Sequence, residues 1–264
     1  MQIKSYSEPY TLGNFARAVD GRLTPEGFEF RPQSERFLVK LFYRTMQLSV
    51  LITLVTLVLG YPIAWLMSNV KTKTANLFLI MVLLPFWTSL LVRTASWRVL
   101  LQDTGVLNSS LLSFNEAVPF LFSGAPYDLM YNQIAVVIAM SHILLPFMIL
   151  PIYSVMKTIS PSYVRAALSM GANDWTAFWR VYFPLTITGV GAGGTLVFIL
   201  SVGYYITPAI VGGTDGIFIS NSIAGYLKSN QGLGAALASI LFACVLVLYF
   251  AYDRVIGIDK TKLH

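Results

Sequence analysis

Groups able to do chemistry are sparse in this chain, and they do not cluster. Trp87, Thr88, Ser89, His142, Ser201, Tyr204 and Tyr205 are the polar or aromatic residues inside, or at the ends of, long apolar runs. A membrane-embedded enzyme needs Asp, His, a Ser–Lys pair or Cys gathered at one depth, and the sequence holds no such set. It also lacks Gly-x-x-x-x-Gly-Lys-Ser/Thr, so any ATP hydrolysis linked to this chain takes place on another polypeptide. What these residues can do is touch a passing solute. Aromatic faces attract an ammonium group by about 0.5–2 kcal/mol. No Asp or Glu lies in the interior of an apolar run, so strong recognition of a cation by a carboxylate within the apolar runs is not available. His142 fits either a ligand or proton-carrier role or that of a neutral residue hydrogen-bonded between helices, and the second is the commoner arrangement.

Two further features are positional. Leu-Leu-Pro-Phe occurs at 83–86 and again at 144–147, in runs of opposite direction. Pro85 and Pro146 then fall at similar depth, each removing an i→i−4 hydrogen bond; they read as a gate or as ordinary transmembrane prolines. In the polar stretch between the third and fourth runs, Ser160-Pro161 opens a short helix and Gly171 closes it. Val164, Ala167, Leu168 and Gly171 share one smooth face of that helix, suited to docking into a partner's groove or to an amphipathic connector. Asn173 or Asp174 caps a second helix whose Trp175, Phe178, Trp179 and Tyr182 form a stripe, expected as an anchoring belt in the membrane interface.

The elements that must position these residues follow from composition. Of 264 residues, 56% are apolar and 11% charged, and the mean hydropathy is +0.67. That balance describes an integral membrane protein rather than a water-soluble domain. A helix needs about 20 apolar residues to cross the hydrocarbon, and five runs qualify. They lie near 43–67, 77–98, 131–156, 183–206 and 234–253. None shows the alternation of a barrel strand, so the expected fold is an all-α, polytopic transmembrane helical bundle.

Lys71, Lys73, Lys157, Arg165, Arg180, Arg254, Lys260 and Lys262 mark the first and third connections and the tail as cytoplasmic. The alternate connections, 99–130 and 207–233, hold Lys228 alone and should face outward, with Arg93 and Arg98 reaching the outer interface. The expected division is an extracytoplasmic segment 1–40, a transmembrane domain 41–256 with a cytoplasmic loop 157–182, and a cytoplasmic tail 257–264. Lys4, Arg17, Arg22, Arg31, Arg36 and Lys40 make an outward N-terminus anomalous, and residues 1–30 contain no apolar signal segment. The single Cys244 forms no internal disulfide. The net charge of +6 is explained by the inside bias, which discounts nucleic acid. Gly189 and Gly193, with Gly191, Ala192 and Gly194, form a small-residue patch for close helix approach, within the subunit or against a second one.

The run Arg165-Ala166-Ala167-Leu168-Ser169-Met170-Gly171, nine residues, then Val181-Tyr182-Phe183-Pro184 resembles the cytoplasmic loop of ABC importer permeases. Their pattern is Glu-Ala-Ala, three residues, Gly, nine residues, an aliphatic residue, one more, then Leu-Pro. Gly171, Val181 and Pro184 fall in register; Arg165 replaces Glu and Phe183 replaces Leu. Gly60-Tyr61-Pro62-Ile63-Ala64-Trp65, the stretch from Leu84 to Arg93, Gly105-Val106-Leu107-Asn108 and Leu144-Leu145-Pro146-Phe147 are similar to the spermidine/putrescine branch.

The resemblance implies a type I importer permease in a bacterial inner membrane, working without bond chemistry and without a cofactor of its own. Two ATPase subunits carrying ATP and Mg, a second, homologous permease, a periplasmic solute-binding protein and membrane lipid are the implied partners. Val164, Arg165, Ala166, Ala167, Leu168, Gly171 and Pro184 would couple to the ATPase, and Pro85, Trp87, Thr88, Ser89, His142, Pro146, Ser201, Tyr204 and Tyr205 would line or gate the path. The implied cargo is a polyamine, an opine or another small cationic or amino-acid-like solute. Arg165 reverses the charge of the family Glu and puts coupling at that position in question. The family has one more helix before an outward loop, so the expectation is five spans with a sixth, N-terminal one missing ahead of this sequence; the alternative is a five-span protein with a translocated polar N-terminus. A self-contained secondary carrier or channel is the competing class, and it would need intramembrane charges that this chain lacks.

Overall fold

The computed structural model describes residues 12–24, 27–117 and 128–257. Lys4, Lys260 and Lys262, part of the topological expectation, lie outside them, as does most of the tail. Helices dominate: α1 Leu12–Ala18, α2 Leu38–Asn69, α3 Thr72–Leu83, α4 Leu90–Leu101, α5 Val106–Ala117, α6 Gln133–Thr158, α7 Pro161–Ser169, α8 Asp174–Ala177, α9 Phe183–Gly203, α10 Ile206–Val211, α11 Ile219–Ser229 and α12 Gln231–Gly257. A two-stranded antiparallel hairpin, β1 Gly21–Thr24 and β2 Gly27–Phe30, is a small departure from the all-α expectation. Four helices are long and apolar enough to cross a membrane, or five if the broken pair around residues 84–89 counts as one span.

The chain divides into two compact units, 1–49 with 90–139 and 202–251, and 50–89 with 140–201 and 252–264. In the first, Ala18, Leu38, Leu41, Ile219, Leu233, Ala236 and Leu237 form a buried cluster. Buried Asp20 holds a positive φ of 55°, a conformation short polar side chains tolerate, and its Oδ2 accepts from the N–H of Val39 at 2.8 Å. The cationic N-terminal segment is partly neutralised within itself, since Arg22 pairs with Glu35 at 3.2 Å. Arg36 donates to the Arg31 carbonyl at 2.8 Å and lies over the Phe30 ring. Buried Thr45 donates to the Leu41 carbonyl and accepts from the N–H of Ile219 at 2.9 Å, which fixes the start of α11 on α2.

The second unit is built on glycine contacts. A Cβ on Gly60 of α2 would stand 3.1 Å from Met148 Cγ; on Gly189 of α9, 3.1 Å from Ile152 Cα; on Gly193, 3.0 Å from the Met148 carbonyl oxygen and Sδ. The patch foreseen from sequence therefore packs α9 against α6 within the subunit.

Two expected spans are not continuous. The run 77–98 ends as helix at Leu83, passes through a 3-10 turn at Leu84–Trp87 and restarts at Leu90. Pro85 removes a donor, Thr88 turns extended, and both its N–H (3.3 Å) and its hydroxyl (2.7 Å) return to the Pro85 carbonyl. Pro146 and Pro151, by contrast, lie inside an unbroken α6. The residues after Pro146 are Phe, Met, Ile and Leu, which offer the backbone no side-chain partner, so the helix persists. The run 183–206 ends at Gly203, and Tyr204-Tyr205 separate it from α10. At its other end helix already begins at Asp174, so the connection expected over 157–182 shrinks to 159–173.

Gly193→Val is expected to lower the stability of the detergent-solubilised protein by about 1–3 kcal/mol through overpacking on Met148. Gly194→Ala, whose Cβ meets Thr53 Cγ2 alone at an ordinary 3.9 Å, should leave the melting temperature unchanged or raise it. Equal melting temperatures for wild type and Gly193→Val would contradict the close packing. Asp20→Ala should cost about 1 kcal/mol and speed hydrogen exchange in the first turn of α2.

Candidate functional site

α7 is built as its sequence foretells. Ser160 caps it, with Oγ accepting from the N–H of Ser162 at 3.3 Å, Pro161 takes the first position, and Gly171 follows at φ +91°. The Ala172 N–H reaches back to the Ala167 carbonyl at 3.1 Å and that of Gly171 to Leu168 at 3.0 Å, closing the helix end. Ala167 is buried and Val164 half-buried, so this edge seats the helix. Arg165, Ala166 and Leu168 are exposed, and Met170 is 82% exposed. The expected four-residue face is thus divided between support and display.

Asn173 caps the next helix, accepting from the N–H of Thr176 at 2.8 Å. After α8 the chain makes one π turn, Phe178–Tyr182, in which Phe183 N–H bonds back to the Phe178 carbonyl. The cause lies one residue on: Pro184 has no N–H, and its ring crowds the carbonyl four residues earlier, so the turn widens. Pro184 itself is exposed. The extra residue splits the aromatic stripe expected on one face. Trp175 and Trp179 remain exposed, whereas Phe178 and Tyr182 turn in toward α2. Phe178 meets Tyr61 edge-on at 6.3 Å, Tyr182 and Ser68 share a hydrogen bond of 3.3 Å, and Tyr61 and buried Thr186 one of 3.2 Å.

A cavity of about 330 Å³ in the same unit is lined by Pro85, His142 and Pro146 together with Ile63, Phe78 and Met81. The two Leu-Leu-Pro-Phe repeats therefore meet, and Phe86 and Phe147 pack edge to face at 5.0 Å. Trp87, 90% exposed, and Ser89 do not line this cavity, and Thr88 serves the break described above. Ser201 is buried, with no hydrogen-bond partner for its Oγ among the described residues.

Tyr204 and Tyr205 belong to the other unit. Their carbonyls, displaced from helical geometry, accept from Ser220 Oγ at 2.6 Å and Asn221 Nδ2 at 2.7 Å. Thr94 and Thr207, both buried, share a hydrogen bond of 3.2 Å and tie α4 to α10. Arg44 donates to the Thr214 carbonyl at 2.9 Å and lies 3.7 Å from Asp215. Sequence reasoning passed over Thr94, Thr207, Ser220 and Asn221 because they look like ordinary polar residues. Their signal is the neighbouring helix break, which obliges some side chain to satisfy the displaced backbone.

The family model of binding-protein-dependent transport system inner membrane components matches residues 36–256. The chain is 33% identical over 214 residues to the spermidine/putrescine transport system permease protein PotB of Haemophilus influenzae, covering 80% of this chain and 73% of that protein. It is 30% identical over 253 residues to PotB of Salmonella typhimurium, covering 94% and 81%. A bacterial alginate ABC transporter, solved with an alginate pentasaccharide-bound periplasmic protein, matches in fold with a TM-score of 0.60 at 18% identity, over 84% of this chain and 78% of that one. Apolar helices with internal breaks, a short capped helix between two long ones and a match over most of the chain agree: it belongs to the binding-protein-dependent transport system inner membrane components, as a multi-pass permease subunit of an ABC importer.

Proposed function

We propose that this permease forms, with a second, homologous permease, the path of an ATP-driven importer for a small polycation of the spermidine/putrescine type. Two separate subunits bind ATP and Mg and hydrolyse the nucleotide, and this chain needs no cofactor of its own. A periplasmic protein captures the solute and delivers it, which suits a path whose spans lack interior carboxylates. The tail and the 159–173 connection face the cytoplasm, where their cations belong.

α7 is the single observation that carries the coupling part of this reading. It is short, capped at both ends and seated by Ala167, and Leu168, the capping Met170 and Trp175 of α8 are all exposed. Such a helix is a lever: a partner that grips its outer face moves the ends of α6 and α8, to which it is joined by a few residues. Along the path, Pro85, His142 and Pro146 form a hinged constriction with Trp87, Thr88 and Ser89 at the break. Tyr204 and Tyr205 supply hydroxyl and aromatic contacts to an ammonium group.

The decisive measurement is uptake of radiolabelled spermidine and putrescine into vesicles holding this permease, its partner permease and the ATPase, with the binding protein added outside. Uptake should require ATP and the binding protein; accumulation driven by an ion gradient without ATP would overturn the importer reading. Gly171→Leu places a side chain at a φ that costs about 1–2 kcal/mol for L-residues. The variant should retain ATP hydrolysis while uptake falls about five- to thirtyfold, the factor that this strain represents. Gly171→Asn, which tolerates the left-handed region, should be milder.

A further inference from the structure

Between α7 and the ends of α2 and α6 opens a groove of about 460 Å³. Trp65, Met156 and Phe178 contribute apolar wall, Ser68, Asn69 and Tyr182 polar wall, and Arg165 stands at its rim. The polar wall is already engaged: Asn69 Nδ2 donates to the Trp65 carbonyl at 2.8 Å, and Ser68 Oγ bonds that carbonyl at 2.8 Å and the Tyr182 hydroxyl at 3.3 Å. Arg165 is not. It is exposed and makes no ion pair among the described residues, although Asp174 lines the same groove. Asp174 is instead the first residue of α8, where the helix dipole favours a negative charge. The segments that frame the groove, 65–73 and 156–182, carry Lys71, Lys73, Lys157, Arg165 and Arg180 against Asp174.

When an apolar groove with one unpaired guanidinium is covered, that cation must meet an anion or be desolvated alone. We infer that the groove receives a carboxylate-bearing segment of the ATP-hydrolysing subunit and that Arg165 selects it. The inference rests on α7 being the docking helix and adds the chemistry of what docks: an Asp or Glu flanked by apolar side chains that fill the space against Trp65 and Phe178. Arginine suits the task better than lysine, since its planar fork binds a carboxylate bidentately while stacking beside aromatic rings. An ATPase presenting a cation at this point is repelled, so Arg165 sorts among the ATPases of one cell.

The test uses the assembled transporter in vesicles of phosphatidylethanolamine and phosphatidylglycerol, with a photoreactive residue at Asn69 inside the groove or at Met170 on the outer face of α7. The expected product at Asn69 is an ATPase peptide containing Asp or Glu. Phospholipid alone, or a second permease, captured there would overturn the inference. Capture of the ATPase from Met170 but not from Asn69 would sink the groove and leave docking intact; no ATPase capture from either position would sink docking as well. Arg165→Glu should reduce both the Asn69 capture and solute-stimulated ATP hydrolysis about tenfold or more, with an unchanged melting temperature. Changing the captured carboxylate of the ATPase to lysine should restore them. Unaltered capture by Arg165→Glu would refute the selecting role.

Discussion

A backbone that leaves helical geometry among apolar helices must have its peptide groups met by something other than water, and the interesting parts of this molecule are where that demand is answered. At Leu84–Trp87 the answer is local, with Thr88 folding its hydroxyl and N–H back onto the Pro85 carbonyl. At Tyr204-Tyr205 it comes from a neighbouring helix, through Ser220 and Asn221. Before Pro184 no break forms, because one widened turn absorbs the missing donor. Pro146 and Pro151 lie inside a helix that stays continuous through both. Each local sequence thus decides whether a proline becomes a joint or merely a weak point.

The joints also bring polar backbone groups into an otherwise apolar chain. A continuous helix shows the path only side chains, whereas a broken one also brings carbonyls and hydroxyls to the point of interruption. The cavity between the two Leu-Leu-Pro-Phe segments is lined almost wholly by apolar groups, with His142 the exception. Aromatic faces and freed carbonyls hold a passing solute weakly, and transport requires sites that release what they bind.

Most of the architecture was legible. Apolar runs of sufficient length placed the long helices, and Ser160-Pro161, Gly171 and Asn173 placed the boundaries of α7 and α8, because caps are set by local chemistry. The sequence reading erred where hydropathy is blind to backbone. Leu, Pro, Phe and Trp at 84–87 are as apolar as the helix they interrupt, so the run 77–98 read as one span. The stripe from Trp175 to Tyr182 was projected on 3.6 residues per turn, and a single π turn rotated half of it inward. The anchoring hydroxyls of Thr94, Thr207 and Ser220 were invisible because their partners are remote in sequence. The N-terminal hairpin went unmentioned because its four-residue strands carry little periodic signal.

The glycine contacts have a mechanical consequence. Gly189 and Gly193 bring α9 against the backbone of α6, and Gly60 brings α2 against the side chains of Met148 and Ile149 on the same stretch, Met148 to Val155. Helices held at so short a separation have little slack for sliding, and close-packed interiors transmit strain rather than dissipate it. Compliance is therefore concentrated in the interruptions of the chain, and the clasped trio behaves as a stiff beam. Where this unit can bend is therefore set by the placing of its glycines as much as by that of its prolines.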